Sequence, residues 1–427
     1  MNKLFCKVPE QLLTRTYLVG GAVRDILLGL PPKDLDYVVV GGSSEEILSL
    51  GFKQVGADFP VFLHPETGEE YALARTERKT AKGYQGFTFD ASSTVTLEQD
   101  LCRRDLTINA MAMDHKGKII DPFGGKVDLQ SKTLQHVSEA FKEDPVRVLR
   151  ICRFLARYGE GWSVAPETVG ECLEIIEEEW PSLTPERVWQ ETYKALQEPR
   201  FDLFLNEILR LEFGSDYKWF EELSHDYNVP QRQDYHPEIW VECHIQMCLQ
   251  QAKKLGASPE QLFSVMCHDL GKAPCYKELG VLHGHEEAGV PKVESLCDRL
   301  KVANSFRELA TKVCRWHTHC HKAFELKPKT ILKVFEALDS FRKPDALHSY
   351  LLCCEADAKG RGGEFPNKEY PQRDFMMSCY EACKKDVNCG YIAEQVKLKG
   401  GSGDDIKNKI RQERISAINR EKKLWKN

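Results

Sequence analysis

Two aspartates near the N-terminus, Asp34 and Asp36, have the spacing that most directly suggests chemistry. They precede an apolar run, Tyr37 to Val40, and the pattern predicts a strand that begins with the two acidic residues. Side chains two positions apart on a strand point to the same face, so both carboxylates would project from one rigid platform. Paired carboxylates of this kind hold Mg²⁺ for phosphoryl or nucleotidyl transfer.

A phosphate-binding turn is predicted just upstream of this pair. Gly20 and Gly21 separate a strand-like segment from a short helix, and glycine lets the backbone approach a triphosphate closely. Arg24, one turn into that helix, would reach the same phosphates. The alternative is an ordinary tight turn with a surface arginine. Further along, the segment RRDLTINA (103–110) suits ribose and phosphate recognition, or equally a salt-bridged helix start capped by its aspartate.

A basic stripe follows on a helix predicted to begin at Pro145. Its four arginines recur at spacings of three, three and four residues, which puts them on one face of the helix. Four like charges on one face repel each other unless an anion lies opposite, and we expect a nucleotide there. The stripe consists of Arg147, Arg150, Arg153 and Arg157.

Asp144 and Arg147 suggest how such a site would choose a base. Cytosine and adenine each present an exocyclic amine beside a ring nitrogen, so a carboxylate accepts from the amine while a guanidinium donates to the nitrogen. Uracil and guanine present the opposite polarity, and mismatched buried polar groups cost about 1–3 kcal/mol. The pair therefore predicts selection of C and A without a nucleic-acid template. The alternative for Asp144 is a simple helix cap.

A second metal centre is predicted from histidines and aspartates in the C-terminal half. The doublet His268-Asp269 lies in an apolar helical segment, with His244 upstream and Asp357 downstream. Imidazole and carboxylate together suit Mn, Ni, Co or Mg. A lone buried histidine is usually structural, but the doublet with further histidines in order favours a functional site. Possible extra ligands are His285 and His317.

The elements that must position these residues change character near residue 140. Strand-like pieces such as YVVV, FPVFLH and EEYALART alternate with helical pieces before that point, and the periodicity is helical afterwards. The prediction is an α/β head over 1–140 and a helical neck and body over 141–230. A histidine-rich domain would occupy 231–345, and a C-terminal helical region over 346–427 would complete its site and bind nucleic acid.

Composition narrows the class of protein. The chain has 427 residues, a net charge of −6 and 42% hydrophobic residues, which is typical of globular proteins. No apolar run would span a bilayer and the N-terminus is a poor signal peptide, so we expect a cytoplasmic protein with no membrane contact. The sixteen cysteines contain no CxxC pair and are expected to be reduced thiols. Because the chain is acidic overall, nucleic acid would bind a local basic patch.

The ordered motifs resemble those of a known family. GGAVRDILLG, DLD, RRDLTINAMA, DPFGG, EDPVR and ERVWQE occur in the order found in class II CCA-adding tRNA nucleotidyltransferases of the DNA-polymerase-β superfamily. The resemblance is greatest to the bacterial members with an HD domain, and it runs from Tyr17 to near the C-terminus. It implies a polymerase-β-like nucleotidyltransferase head, followed by all-α neck, body and HD domains.

The resemblance also implies roles for individual residues. Asp34 and Asp36 would be catalytic and bind Mg²⁺, with Glu70 as a possible third carboxylate. Residues 186–191 would brace the neck helices, and residues 78–87 would form a flexible loop that switches specificity from C to A. The incoming nucleotide would contact Gly21, Arg24, Arg104, Arg150 and Arg153, and the amino-acid template would be Glu143, Asp144 and Arg147.

The resemblance further implies a second activity and a set of partners. The HD domain would hydrolyse phosphate esters as a 2′,3′-cyclic phosphodiesterase, 2′-nucleotidase and phosphatase. Its site would hold Ni²⁺ or another divalent transition metal on His244, His268, Asp269 and Asp357. The substrates would be tRNA, ATP and CTP, and the protein would be a monomer or a homodimer.

Three alternatives remain. Two are enzymes: a specialist that adds only the terminal A, and a poly(A) polymerase. The acidic overall charge argues against the polymerase, and the loop at 78–87 argues against the specialist. The third is an RNA-binding or sensor protein without catalysis, which the retained acidic residues and histidines disfavour.

Overall fold

A mixed seven-stranded sheet organises the N-terminal part of the chain. The computed structural model describes residues 3–55, 61–79, 87–226 and 228–425. Contacts divide the chain into two compact units, Met1–Glu191 with Arg210–Tyr217 and Thr192–Leu209 with Lys218–Asn427. The strands are β1 (Thr16–Val19), β2 (Asp36–Val39), β3 (Lys53–Val55), β4 (Val61–Leu63), β5 (Glu70–Leu73), β6 (Thr76–Lys79), β7 (Phe87–Asp90), β8 (Ala112–Met113), β9 (Ile119–Ile120), β10 (Thr133–Leu134) and β11 (Ser163–Val164).

The sheet has the strand order β3-β4-β5-β2-β1-β8-β9. Only β2 and β5 run parallel, and the other neighbouring pairs are antiparallel. Two small pairs lie outside it, an antiparallel one between β6 and β7 and a parallel one between β10 and β11. Inward side chains such as Val19, Val38 and Ala112 form the core beneath the sheet. The predicted strands YVVV and EEYALART and the described part of FPVFLH are confirmed.

One detail of the prediction is wrong, because Asp34 does not belong to the strand. β2 begins at Asp36, and Asp34 lies in the bend before it. The neighbouring strands explain this boundary: β1 ends at Val19 before the Gly20 turn, and β5 begins at Glu70, the register partner of Asp36. Backbone before Asp36 therefore lies beyond the ends of both neighbouring strands.

Helices account for almost all regular structure after residue 143, as the periodicity predicts, apart from the short β11. The described helices are α1 (Gly21–Leu27), α2 (Ser44–Ser49), α3 (Leu97–Cys102), α4 (Gly125–Ser131), α5 (Val146–Tyr158), α6 (Pro166–Glu178), α7 (Pro185–Gln197), α8 (Phe201–Leu211), α9 (Glu221–Ser224), α10 (Val241–Lys254), α11 (Pro259–Cys267), α12 (Lys272–Leu279), α13 (His285–Leu300), α14 (Asn304–His321), α15 (Pro328–Ala337), α16 (Pro344–Lys359), α17 (Pro371–Asp386), α18 (Cys389–Leu398) and α19 (Gly403–Leu424).

In the second unit, α14 packs against α11, α13 and α16, and α10 packs against α11 and α16. Their apolar faces form its core, which includes Phe263, Leu296, Val313 and Leu351. Each of the sixteen cysteines lies in the described part of the chain and is a free thiol. No helix among the described residues has both the length and the apolar character needed to cross a bilayer. The division into four domains stays a prediction.

Candidate active sites

A cleft of about 570 Å³ lies in the first unit, and most of its lining is charged. Nine of its nineteen lining residues are arginines, against four carboxylates, so it attracts anions. The arginines are Arg24, Arg75, Arg103, Arg104, Arg147, Arg150, Arg153, Arg157 and Arg187, and the carboxylates are Asp36, Asp105, Asp144 and Glu191.

The glycine turn at one edge of the cleft has a steric reason for its sequence. Gly20 adopts φ of 69° ahead of α1, and a Cβ there would lie 2.9 Å from Nη1 of Arg104. Glycine tolerates this backbone conformation, and its missing side chain lets the guanidinium lie against the turn. Gly20 and Gly21 both line the cleft, as does Arg24. The predicted turn therefore lies among arginines, and phosphate binding by the turn stays a prediction.

Three carboxylates gather at the start of β2. Asp36 is exposed and lines the cleft, and its register partner on β5 is Glu70. Partial desolvation raises the pKa of Asp36, as do the negative charges of Glu70 and Asp34, while Arg104 acts in the opposite direction. A cation would relieve this repulsion, and oxygen-only donors suit Mg²⁺. The residues present therefore fit the expected metal.

The four arginines of the basic stripe on α5 line the cleft, and three of them also pair with carboxylates of the same chain. Arg150 pairs with Asp105 at 2.7 Å, and Arg153 pairs with Glu191 at 2.7 Å. Arg157 pairs with Asp25 at 3.2 Å. The charge repulsion is thus balanced without a nucleotide, because carboxylates distant in sequence come opposite the stripe.

Asp105 illustrates how strongly these pairs act. Burial alone would raise the pKa of its carboxyl, but the charge of Arg150 and the hydrogen bond from Asn109 lower that pKa well below its usual range. The same carboxylate also accepts from the N–H of Leu106. Asp105 is therefore salt-bridged and lines the cleft, but the short helix over Thr107–Asn109 has Leu106 as its N-cap, so the predicted cap is wrong. Recognition of ribose and phosphate by this segment stays a prediction.

The other two predicted nucleotide contacts are likewise held by ion pairs. Arg24 is buried, pairs with Asp25 at 2.8 Å and donates to Oδ1 of Asn109 at 2.6 Å. Arg104 pairs with the buried Asp100 at 3.1 Å. These pairs fix guanidiniums at the wall of the cleft before any ligand arrives.

The predicted base-reading residues are close in sequence but have separate partners. Both oxygens of Asp144 accept from Arg187, at 2.9 and 2.8 Å, and Oδ1 also accepts from the N–H of Val146. Arg147 donates to the carbonyls of Ala140 and Arg103 at 2.9 and 2.7 Å. Arg187 lies within the segment 186–191 that the sequence assigns to bracing, which accords with its contact to Asp144.

Glu143 is not among the lining residues of the cleft. Glu143 ends a short 3-10 turn and lines a separate surface depression with Lys142 and Glu174. Within the loop predicted at 78–87, residues 80–86 lie outside the described residues. Its flanks belong to β6 and β7, which pair Arg78 with Thr88 and Lys79 with Phe87.

The second unit brings together the four residues predicted as a metal centre. His244 lies on α10, Asp357 on α16, and His268-Asp269 directly follow α11. Nε2 of His244 lies 3.1 Å from Asp357 Oδ1, and Nε2 of His268 lies 3.0 Å from Asp269 Oδ2. All four side chains are buried. Gly271 is needed beside them, because a Cβ there would overlap the carbonyl oxygen of His285.

Five histidines turn the same ring nitrogen toward this centre. In each, Nδ1 meets a group that fixes the ring, which leaves Nε2 facing Asp269 or Asp357, the arrangement of metal-binding imidazoles. The Nδ1 partners are Glu238 for His244, Val265 O for His268, Leu282 O for His285, Cys314 O for His317 and the hydroxyl of Tyr370 for His321.

The sequence interpretation missed several members of this centre. His321 lies 2.6 Å from Asp357, and Lys272 lies 2.5 Å from Asp269. Both could have been predicted from the sequence, because His321 follows His317 and Lys272 follows Asp269 by about one helical turn. Cys248, one turn after His244, lies 3.4 Å from its Nε2. Glu238 had no comparable signal.

The charges of the centre depend on each other. Burial alone would lower the pKa of His268, but Asp269 and Asp357 raise it. Burial opposes ionisation of both aspartates, and neighbouring groups, chiefly His268 for Asp269 and His321 for Asp357, hold the pKa of each well below its usual range. Burial lowers the pKa of His317 to about 3, so its imidazole is neutral. Buried carboxylates beside neutral imidazole fit a divalent transition metal.

The mixed-sheet head with a helical remainder defines an enzyme of the nucleotidyltransferase class with a polymerase-β-like fold. A family model described as the poly A polymerase head domain matches residues 16–135. The multifunctional CCA protein of Teredinibacter turnerae is 49% identical over 95% of this chain and 97% of its own. That of Mannheimia succiniciproducens is 50% identical over 92% and 94%. The chain belongs to the family of multifunctional CCA proteins.

Solved structures agree on the fold. The Bacillus stearothermophilus CCA-adding enzyme in complex with CTP superposes with a TM-score of 0.61 at 21% identity, covering 99% of this chain and 94% of that one. The Thermotoga maritima CCA-adding enzyme complexed with tRNA gives 0.60 at 16% identity, covering 97% and 93%. At these identities the likeness shows a shared fold, and the predicted fold class is confirmed.

Proposed function

We propose that the first unit adds CCA to the 3′ end of tRNA from CTP and ATP, with release of pyrophosphate. The observation that carries the proposal is the cleft in which Asp36 and the Gly20-Gly21 turn meet nine arginines. The names of the relatives support the same reaction. The tRNA 3′-oxygen bonds to the α-phosphorus of the nucleotide, the bond from that phosphorus to the bridging oxygen breaks, and pyrophosphate leaves.

Asp34 and Asp36 would hold Mg²⁺, with Glu70 beside them. When bound, the ion would neutralise triphosphate charge and make the attacking hydroxyl more acidic. The chain's own part is to hold the carboxylates in place, which β2 and its pairing with β5 do for Asp36. Asp34, in the bend before the strand, is less constrained by backbone pairing.

The arginines would bind and orient the triphosphate. Arg24, Arg104, Arg150 and Arg153 are held by carboxylates of the same unit, so little side-chain entropy remains to be lost when a phosphate binds. Each guanidinium has five N–H donors, and an ion pair uses only some of them. Gly21 would let the phosphates come close to the backbone.

Asp144 and Arg147 would read the base, with Glu143 beside them in the chain. A carboxylate oxygen has two lone pairs, so Asp144 can accept from an exocyclic amine while Arg187 holds it. Arg147 is anchored by two carbonyls, which fixes the orientation of its guanidinium. This arrangement selects cytosine and adenine by polarity and needs no nucleic-acid template.

An extension assay with single nucleotides tests the proposal. tRNA that ends at the discriminator base should gain two residues with CTP alone. ATP should be added only after both, and neither UTP nor GTP should be used. No incorporation of C would identify an A-only specialist, and continued addition of A would identify a poly(A) polymerase. Either result would overturn the proposal.

For the second unit we propose metal-dependent hydrolysis of phosphate esters, with 2′,3′-cyclic phosphodiesterase, 2′-nucleotidase and phosphatase activities. His244, His268, Asp269 and Asp357 would hold Ni²⁺ or another divalent transition metal. The observation that carries this proposal is the buried set of imidazole nitrogens turned toward two buried carboxylates. When bound, the metal would supply an acidic water and polarise the phosphate.

Hydrolysis of 2′,3′-cyclic AMP and of 2′-AMP by the full chain with added Ni²⁺ tests this second activity. His268→Ala should abolish both. Unchanged turnover in that variant would place the activity elsewhere. The monomeric or homodimeric state stays a prediction, which light scattering of the purified protein would decide.

A further inference from the structure

Two stacked tyrosines lie directly behind the carboxylates that are proposed to hold Mg²⁺. Successive side chains of a strand point to opposite faces of the sheet, so Tyr37 points away from Asp36, and Tyr71 points away from Glu70. Tyr37 and Tyr71 are register partners on β2 and β5, and both are buried. Their rings stack with the centroids 4.7 Å apart. The stacked pair therefore joins the two strands that carry the carboxylates, on the opposite face of the sheet.

An N-terminal arm, residues 3–15, packs against these tyrosines. The ring of Phe5 meets the ring of Tyr37 edge to face, with the centroids 5.6 Å apart. The hydroxyl of Tyr37 donates to the carbonyl oxygen of Leu4. The apolar side chains of the arm that are buried are Phe5, Val8 and Leu12. The arm is therefore part of the packed interior of the first unit.

The arm also bonds to the other end of β2. The carbonyl oxygen of Arg15 accepts from the N–H of Val40 at 2.9 Å, and Nη1 of Arg15 donates to the carbonyl oxygen of Gly41 at 3.0 Å. The contact of Leu4 with Tyr37 lies at the start of the strand, and these bonds lie just after its end. The arm therefore holds β2 at both ends.

A further contact joins the arm to the turn that leads into Glu70. Nε2 of His64 lies 3.0 Å from the carbonyl oxygen of Lys7. Nδ1 of the same ring accepts from the N–H groups of Glu66 and Thr67, so Nε2 carries the proton and donates to the arm. Nζ of Lys7 also lies 2.6 Å from Oε2 of Glu66. The arm thus contacts the chain next to both carboxylate-bearing strand ends.

We propose that the arm is a positioning element for the Mg²⁺ carboxylates of the first unit. It packs behind Tyr37 and bonds to the turn before β5, and in this way it keeps the strand ends that carry Asp36 and Glu70 in register. Groups that orient metal ligands strengthen metal binding without touching the ion. The inference rests on the proposed nucleotidyltransferase function and adds residues 3–15 to its site. The arm lies on the other face of the sheet, so it acts through the carboxylates.

Mn²⁺ binding to the full chain tests the proposal. His268→Ala and Asp269→Ala are introduced first, so that the second unit holds no ion, and free Mn²⁺ is measured by electron paramagnetic resonance during a titration. In this chain Phe5→Ala should raise the dissociation constant of Mn²⁺ about 10-fold, the low end of the losses that follow removal of a group that orients a metal ligand. Glu10→Ala is the matched control, because Glu10 is an exposed residue of the same arm, and it should leave the constant unchanged.

Nucleotide addition provides a second measurement. Without the substitutions in the second unit, Phe5→Ala should raise the Mg²⁺ concentration needed for half-maximal addition of C by a similar factor. The value of kcat at saturating Mg²⁺ should stay within about twofold, because only binding of the ion is weakened. Tyr37→Phe removes only the hydrogen bond to Leu4, and it should raise the Mn²⁺ dissociation constant about threefold.

An arm that only stabilises the fold would give a different result. Phe5→Ala would then lower the thermal midpoint, while the Mn²⁺ dissociation constant measured well below that midpoint stayed at its original value, and the proposal would be overturned. Tyr37→Phe decides the question if the Phe5→Ala chain fails to fold. Absence of nucleotide addition before any substitution would overturn the proposed function, whereas the Mn²⁺ titration would still decide the role of the arm.

Discussion

Asp144 and Arg187 form a two-point ion pair, with both carboxylate oxygens accepting from the two terminal nitrogens of one guanidinium at 2.9 and 2.8 Å. The pair joins Asp144, two residues before the start of α5, to the first turn of α7. Planar pairing of this kind fixes orientation as well as distance. The proposed base-reading carboxylate is therefore held in one orientation before a nucleotide binds.

Loss of this pair should lower both rate and selectivity of nucleotide addition. Arg187→Lys keeps the charge but not the two-point geometry, so kcat/KM for CTP and ATP should fall roughly 10- to 100-fold, as expected for about 1–3 kcal/mol. Use of UTP should rise relative to CTP. Steady-state kinetics with each nucleotide on tRNA lacking CCA measures both effects.

Arg342→Lys is a suitable control for that substitution. Arg342 makes a similar two-point pair with Asp339, on the exposed surface of the other unit. Its replacement should leave addition unchanged. Equal losses in the two variants, or an unaltered preference for CTP over UTP in Arg187→Lys, would contradict the role given to Asp144.

The two activities should separate by mutation. Asp36→Ala removes the carboxylate at the start of β2, so nucleotide addition should fall below detection while hydrolysis of 2′,3′-cyclic AMP stays within about twofold of its original rate. Asp357→Ala should do the reverse. If Asp36→Ala abolished both activities in a chain with an unchanged circular dichroism spectrum, the two-site account would fail.

The two centres should also differ in the metal that restores them. After chelation, Mg²⁺ should restore nucleotide addition, because the carboxylates at β2 offer oxygen donors. Mg²⁺ should not restore hydrolysis, because the second centre is rich in imidazole, and Ni²⁺, Co²⁺ or Mn²⁺ should do so. Parallel assays of one chelated sample with each ion provide the comparison. Full hydrolysis with Mg²⁺ alone would refute the difference in donor chemistry.

Asp105 should make the stability of the chain depend on acid pH. Its pKa is lowered in the folded state and is about 3.9 when unfolded, so its stabilising contribution is present above about pH 4 and is lost as pH falls toward the folded pKa. Asp105→Asn should therefore destabilise by about 1–3 kcal/mol at pH 6 and by progressively less below pH 4. Thermal midpoints of both proteins from pH 3 to 7 measure this, and a pH-independent difference would contradict it.

Much of the fold and of both sites could be predicted because the residues that indicate them are neighbours in the sequence. The turn at Gly20-Gly21, the apolar strand after Asp36 and the helix starting after Pro145 each follow from neighbouring residues. His268 and Asp269 are adjacent, so their shared location needs no knowledge of the fold. The order of the motifs along the chain then indicated that these distant segments belong to one known family.

What could not be predicted depends on contacts between distant segments. Asp25 and Arg157 are 132 positions apart, and nothing near either residue indicates that they pair. The same holds for Arg187 and Asp144, 43 positions apart, whose contact depends on how α7 packs near the start of α5. Glu238 is close to His244 in sequence, but it lies in a turn before α10 that the histidine pattern does not indicate. The start of β2 at Asp36 depends on where β1 ends and where β5 begins, which sequence alternation does not show.

The most direct test of the central claim is the 3′-end sequence of tRNA lacking CCA after incubation with all four nucleotides. The products should end in CCA and grow by three residues only, and this reaction should be lost in Asp36→Ala. A single added A, a run of A residues, or ends that contain U or G would contradict it.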